Sequence, residues 1–338
     1  MNKRILTLIS VLCLISMLLS FVSCQKETEN NNEHEHNHGE ESEIVYHTIS
    51  FNSNGGSPVE SIKIQHGYGT GPLETPTYNN HVFLYWSYEG SEWLHDYKKV
   101  NKDITLTAVW KKADEVFGIE PTDGGVMITS IKYQRPEGFE KLLVPSIING
   151  KNVTAVGKDA FMSKGDNYAK NIYFPESVTR IDEGAFSDVS SMNMFFEGAI
   201  THIGESAFEN CTSLKSINLA TGMEAIPYSA FASCSSLRVI QIPKEVKTIE
   251  ENAFEKCSSL KTVVLPASLT TIKQMAFADC ESITSVFYES SEADFDKIEI
   301  DQENDALLDA KIFFFSAEQP TEDGNFWCYN ENNSPVIW

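Results

Sequence analysis

The apolar positions in the second half of the chain follow a regular repeat. An Ala-Phe dipeptide occurs six times, and consecutive copies lie 22 to 25 residues apart. Such a period is too long for a coiled coil and too short for an independent domain, so each copy must bury its apolar face against its neighbours. The pattern therefore predicts a solenoid. The repeated phenylalanines are Phe161, Phe186, Phe208, Phe231, Phe254 and Phe277.

Within each repeat, the apolar residues also predict the local structure. In one clear copy, Leu260, Val263 and Leu265 have the spacing that turns alternate side chains inward on a strand, and a proline ends it. A second apolar stretch predicts another short strand, and the Ala-Phe segment is expected to form a short helical turn. The copy that begins at Ala185 is one residue short, which predicts a kink or bulge near residues 189–200. We expect a mainly β solenoid of parallel strands and short helical turns.

A different pattern fills residues 46–112. Apolar and polar residues alternate in Tyr46–Phe51 and in Ile104–Trp110, which predicts two half-buried strands, and an Asn-Gly-Gly sequence between them is a strong turn signal. We expect a small β-rich module that precedes the solenoid. Its three tryptophans should form the core, although they could instead form a platform for sugars. They are Trp86, Trp93 and Trp110.

The beginning of the chain resembles a bacterial targeting signal. Two basic residues precede an apolar run from Ile5 to Val22, and Ser23-Cys24 closes the run. This arrangement resembles the bacterial lipobox, in which the cysteine is lipidated and becomes the mature N-terminus. We therefore expect a signal peptide at residues 1–23 and a lipid anchor on Cys24. The alternative is an uncleaved membrane helix, since about 18 to 20 apolar residues can cross a bilayer.

Residues 24–45 are rich in Glu, Asn and His and have no apolar period, so we expect a disordered acidic tether. The tether contains a match to the His-Glu-x-x-His protease motif. That chemistry needs a rigid helix, and this composition would not form one. Loose metal binding by His34, His36 and His38 remains an alternative to a plain linker.

Composition narrows the possible functions. The chain has 26 basic and 48 acidic side chains, which argues against nonspecific binding to nucleic acid or to anionic membranes. Four cysteines lie three residues after a repeat phenylalanine, which predicts buried packing positions and not a redox or metal site. The repeats have no recurring combination of a nucleophile with His and no phosphate loop. We therefore expect neither an enzyme nor a cofactor.

The residues between the inward positions of each main strand should face solvent. The first column of such residues is basic at four positions, and the second has aromatic or apolar residues at both ends. We expect the two columns to recognise an extended extracellular protein or an acidic glycan, although Lys or Arg after Leu is also ordinary in such repeats. The candidate ligand-binding residues are Lys170, Lys215, Arg238, Lys261, Tyr173, Phe196 and Phe287.

Two family resemblances follow from these motifs. When the repeats are aligned on the Ala-Phe pair, two variable residues and a Cys follow that pair. The motif Ser-Leu-x-x-Ile-x-Leu-Pro comes next, and Val-x-x-Ile comes last. This pattern resembles the BspA-like, or Treponema pallidum type, leucine-rich repeat over residues 116–338, including a C-terminal cap. Residues 46–112, with the Asn-Gly-Gly turn, the Tyr85-Trp86 pair and a final Ala-Val-Trp, resemble the Listeria–Bacteroides, or internalin B-type, repeat, which is a small β-grasp-like module.

The resemblances imply a surface-exposed lipoprotein of the bacterial cell envelope, and therefore adhesion or protein–protein binding, with host matrix or other cells as partners. We expect a monomer that is held at the membrane by its N-terminal lipid and does not bind nucleic acid. Two other functions remain open. One is a glycan-binding lipoprotein of a nutrient uptake system, and the other is a structural spacer in the envelope.

Overall fold

The chain folds as a mainly β protein, in which a leucine-rich solenoid follows a small mixed β-sheet, as the repeat pattern predicts. The computed structural model describes residues 44–93, 98–133, 139–162, 169–321, 324–332 and 334–338. The predicted lipid site at Cys24 and the histidines His34, His36 and His38 lie outside the described residues. Across the described ranges, no helix is long and apolar enough to cross a membrane.

The N-terminal module is a five-stranded sheet with the strand order β2-β1-β5-β3-β4. Strands β1 and β5 are parallel, and the other pairs are antiparallel. Trp86 and Trp93 are buried in its core, and Trp110 packs against them half-buried, so these rings hold the module together. The strands are β1 (Tyr46–Asn52), β2 (Ile62–Gln65), β3 (His81–Tyr88), β4 (Ser91–Glu92) and β5 (Ile104–Lys112).

The module closes the N-terminal end of the solenoid. Asn80, which has a positive φ of 64°, accepts a hydrogen bond from the backbone of Ala113 and donates its own N–H to the carbonyl of Ile147. Its side chain accepts from the Asn149 N–H at 2.5 Å. Val82 of β3 is buried in the solenoid core. The module therefore covers apolar residues that the first repeat would otherwise expose.

One wall of the solenoid, which we call the front wall, is built from the main strand of each repeat. Its strands are parallel, and their inward side chains contribute to the core. The strands are β8 (Phe139–Leu143), β11 (Ala169–Phe174), β13 (Asn193–Phe196), β16 (Val239–Gln241), β18 (Thr262–Leu265), β20 (Ser285–Tyr288) and β22 (Lys311–Phe315). Strands β23 (Phe326–Tyr329) and β24 (Pro335–Ile337) continue from β22.

The opposite wall, which we call the rear wall, begins with the longer strands β6, β7 and β10 and otherwise consists of two-residue strands. Helix α1 (Ala113–Val116) leads into it from the module, and helices α2 (Glu292–Phe295) and α3 (Asp305–Leu308) belong to the last repeats. The strands are β6 (Phe117–Thr122), β7 (Gly125–Ile131), β9 (Ile147–Ile148), β10 (Lys151–Val156), β12 (Arg180–Ile181), β14 (His202–Ile203), β15 (Ala225–Ile226), β17 (Thr248–Ile249), β19 (Thr271–Ile272) and β21 (Glu299–Ile300).

Both walls are interrupted at the repeat that lies between β14 and β15. In the front wall, one sheet ends at β13 and the next begins at β16. The main segment of the intervening repeat forms a single bridge, in which Leu219 pairs with Ile200. This interruption directly follows the short copy, where the sequence predicts a kink or bulge.

The Ala-Phe segments stack as the third side of the solenoid. The six phenylalanine rings form one ladder with centroids 5.1 to 5.5 Å apart. The segments are turns with i to i+3 hydrogen bonds, not α-helical turns, because each is flanked by left-handed residues such as Asn252 and Lys256 around Phe254. The N–H of Phe254 donates to the Ala276 carbonyl of the next repeat at 2.8 Å. This side therefore gains the inter-repeat bonds that a helix would keep within itself.

The four repeat cysteines are buried free thiols, as their spacing predicts. Each Sγ donates to the backbone carbonyl of the phenylalanine in the preceding repeat, at 3.0 to 3.2 Å. Burial raises the pKa of the Cys211 and Cys234 thiols. Cysteine therefore satisfies a buried carbonyl while filling a small apolar space. The four are Cys211, Cys234, Cys257 and Cys280.

Candidate ligand-binding face

The register of the front wall decides which side chains point outward. Ile172 pairs with Met194 and Phe174 with Phe196, and these are the inward positions. Tyr173 pairs with Phe195, so these two residues share the outward face. The prediction that Phe196 belongs to the outward column is wrong. Its ring stacks on the Phe174 ring at 4.9 Å and packs against the core.

The short copy explains this error. Counting from the Ala-Phe pair places Phe196 outward only if the repeat has its usual length. The missing residue lies between Phe186 and β13, so the strand is displaced by one position relative to that count. A displacement of one residue exchanges the two faces of a strand. Phe195 therefore takes the outward position.

An exposed aromatic pair lies at the open end of this face. The rings of Tyr173 and Phe195 are stacked with centroids 4.6 Å apart and planes inclined by 11°. Phe195 is 43% exposed. The Lys141 ammonium lies 4.8 Å from the centre of the Tyr173 ring, within the range of a cation–π interaction. We call Lys141, Tyr173 and Phe195 the aromatic platform.

A basic column occupies the repeats that follow the platform along the solenoid. Arg238 and Lys261 are exposed immediately before β16 and β18, and Lys215 is exposed at the equivalent position of the intervening repeat. Lys261 donates its N–H to the Arg238 carbonyl at 2.8 Å, so these two positions are direct neighbours. Like charges at that spacing repel each other, which favours an anionic partner. Lys170, at the equivalent position of an earlier repeat, instead forms a 2.7 Å ion pair with Glu140.

The other end of the same face is covered. Val264, Phe287, Phe313 and Trp327 form a separate buried cluster, with Phe287 only 6% exposed. The Phe287 ring stacks on Phe313 at 5.1 Å, and Trp327 meets it edge-on at 5.4 Å. The prediction that Phe287 faces solvent is therefore wrong, although its outward position in the strand is as expected.

The covering segment is formed by residues 324–332 and 334–338, which we call the C-terminal arm. Trp327 Nε1 donates to the Tyr288 carbonyl at 3.0 Å. The Tyr329 hydroxyl donates to the Glu289 carboxylate and accepts from Gln241 Nε2 at 3.3 Å. Burial and then the Glu289 carboxylate raise the pKa of the Tyr329 hydroxyl above its usual range. The arm thus reaches from β22 to a residue of β16.

Sequence reasoning missed Lys141, Phe195 and Tyr329, and it assigned Trp327 only to the C-terminal cap. Alternation alone could have found Phe195, because Met194 and the residue after Phe195 are both apolar, as inward positions require. No local signal pairs Trp327 with Phe287, which lies 40 residues earlier in the chain. Within the described part of the chain, no group of His, Cys, Asp and Glu side chains could hold a metal ion.

The fold and this face define a leucine-rich solenoid with one partly open front wall. The model of the BspA type leucine rich repeat region matches residues 129–258 and 190–299 in six copies, so the matches together span half of the chain. The chain belongs to the BspA-type leucine-rich repeat family. The Listeria-Bacteroides repeat domain matches residues 47–109. Comparison with curated proteins gives no match.

Several solved structures are similar to this chain. A leucine rich cell surface protein from Faecalibacterium prausnitzii A2-165 is 26% identical over 54% of this chain and 41% of its own length, with a TM-score of 0.38. The T. pallidum leucine rich repeat protein is 30% identical over 51% of this chain and 69% of its own, with a TM-score of 0.34. A leucine-rich repeat protein from Eubacterium ventriosum ATCC 27560 is 24% identical over 64% of this chain and 54% of its own length, with a TM-score of 0.40. This chain thus matches less than half the length of the Faecalibacterium protein.

Proposed function

We propose that this protein is a non-catalytic, lipid-anchored surface protein of the bacterial cell envelope, and that it binds an extended acidic segment of another protein during adhesion. In this arrangement Cys24 carries the lipid, residues 24–45 form the tether, and the module at residues 46–112 supports the solenoid. The lipobox resemblance supports the anchor, and membership of the leucine-rich repeat family supports a binding role.

The observation that carries the proposal is the succession of the aromatic platform and the basic column in consecutive repeats of the solenoid. The chain has a net charge of −22, yet Lys215, Arg238 and Lys261 expose three positive charges in consecutive repeats. Among the described residues, no carboxylate lies within 4.0 Å of any of the three. Such a column attracts an anionic partner, and the neighbouring rings offer apolar contact area.

The test is capture of extracellular matrix proteins by the purified full-length protein, with a glycan array in parallel. Capture of a protein should weaken as salt rises. The triple variant Lys215→Glu, Arg238→Glu and Lys261→Glu should abolish it without unfolding. The control, with the same change in net charge away from the front strands, has glutamate at three exposed lysines and should behave as wild type. Those lysines are Lys158, Lys247 and Lys256.

Each other outcome counts against the proposal. Unchanged protein capture by the triple variant would show that the basic column is not part of the binding site. Binding to defined glycans alone would favour a nutrient uptake protein, and an absence of any ligand would favour an envelope spacer. For the anchor, Cys24→Ala should move the protein from the membrane fraction to the soluble fraction, and unchanged membrane association would contradict lipidation at this residue.

A further inference from the structure

At both the covered and the open end of the front wall, the outward side chains come from the same position of the repeat. Along the covered end, Gln241, Val264, Phe287 and Phe313 pair in register from β16 to β22. Along the open end, Leu143, Tyr173 and Phe195 pair in register from β8 to β13. All seven residues lie between two inward positions of their strands. The two ends therefore offer equivalent outward positions, of which one is covered by the C-terminal arm and the other leaves Phe195 43% exposed.

The occupant of the covered end is an extended polypeptide. The arm enters as strand β23 and pairs with β22, with Trp327 opposite Phe315. Trp327 and Tyr329 are two residues apart, so both side chains project from the same face of the extended segment. Trp327 supplies the apolar contact with Phe287, and Tyr329 supplies a polar contact at its hydroxyl.

The two ends also share a lysine above an aromatic ring. At the covered end, the Lys311 ammonium lies 4.9 Å from the centre of the Phe313 ring. At the open end, Lys141 lies 4.8 Å from the Tyr173 ring. The stacked pair Phe287–Phe313 at 5.1 Å corresponds to the stacked pair Tyr173–Phe195 at 4.6 Å. The open end therefore repeats the stacked ring pair and the neighbouring lysine of the covered end.

From this equivalence we infer that the column of Leu143, Tyr173 and Phe195 binds an extended polypeptide whose aromatic side chains lie two residues apart. The C-terminal arm is an internal copy of that ligand. The inference rests on the proposed function and names its ligand class. A segment with acidic residues beside the aromatic pair fits best, since it would meet Lys141 and then the basic column.

The experiment uses a fluorescent peptide of residues 324–332 with Ser in place of Cys328, added to the full-length protein. Its anisotropy should rise saturably, and a peptide with Ala in place of Trp327 and Tyr329 should not bind. The double variant Tyr173→Ala and Phe195→Ala should bind the peptide about tenfold more weakly or worse, because buried aromatic contacts dominate such interfaces. The matched control is Tyr228→Ala, which removes another 43% exposed ring outside the front strands and should leave binding unchanged.

Two results would overturn the inference. One is equal peptide affinity of wild type and the Tyr173→Ala, Phe195→Ala variant. The other is capture of a natural ligand, or of a glycan, that depends on Lys215, Arg238 and Lys261 but is indifferent to the peptide and to both rings. In that second case the site on the basic column stands and only the ligand class is wrong.

Discussion

The two ends of the front wall use one repeat position for two different purposes. At the N-terminal end, Tyr173 and Phe195 remain accessible, whereas at the C-terminal end Phe287 and Phe313 are buried under Trp327. The strands beneath both pairs are parallel and regular. The difference therefore comes from the segment that lies over the wall, and it shows that an outward column of a solenoid can become either a surface or a second core.

The interior of the solenoid does not share this contrast. The phenylalanine ladder runs past both ends with nearly constant spacing, and it continues through the repeat at which both walls are interrupted. At the C-terminal end of the ladder, the Asn304 side chain takes the place of the backbone carbonyl that a further repeat would supply. Its Oδ1 accepts a hydrogen bond from the Phe277 N–H at 2.9 Å. The phenylalanine ladder is therefore uniform, whereas the outward face of the front wall differs between its two ends.

The largest change in stability is expected when the Trp327 side chain, which covers the C-terminal end of the front wall, is removed. Trp327→Ala should lower the free energy of unfolding by about 4 kcal/mol, because a fully buried tryptophan loses its contacts and leaves a cavity. Phe195→Ala, on the open end, should cost about 1 kcal/mol or less. Urea denaturation followed by circular dichroism measures both values. Similar costs for the two variants would mean that the ends are equally covered.

The Tyr329 hydroxyl should make the covered end sensitive to alkali. Its pKa is raised in the folded protein, so its contribution is complete below the unfolded pKa of about 10 and is lost as the pH rises through the higher folded value. Tyr329→Phe should lower the free energy of unfolding by about 1 kcal/mol at pH 8. The difference between wild type and variant should shrink in urea titrations above pH 10. A constant difference would show that the hydroxyl is not held in the folded state.

The smallest effect concerns the lysine of the platform. Lys141 and Tyr173 should show a coupling of about 0.5 kcal/mol in a double-mutant cycle with Lys141→Met and Tyr173→Leu, since the pair is exposed to water. Thermal denaturation of the four proteins provides the cycle. A coupling of zero would show that Lys141 does not interact with the Tyr173 ring. The likeness of the open end to the covered end would then depend on the stacked rings alone.

Much of the fold follows from local spacing. The Ala-Phe period predicted the solenoid, and the position of Cys257 three residues after Phe254 predicted its burial. The exposure of Tyr173, Lys215 and the other basic residues also agrees with their strand positions. Phe196 was misplaced because one missing residue inverts a strand. Phe287 was correctly oriented but wrongly expected to face solvent, because alternation specifies direction and does not specify what lies opposite.

The sequence by itself determined the repeat, the stacked interior and the outward direction of Tyr173 and Phe287, because each depends on contacts between residues that recur at a nearly fixed distance along the chain. Only the tertiary structure decided which part of the outward face stays open. That decision depends on Trp327 and Tyr329, whose partners Phe287, Glu289 and Gln241 lie 38 or more residues away and outside the repeat period. Burial of apolar surface by a distant segment leaves no periodic signal in the sequence.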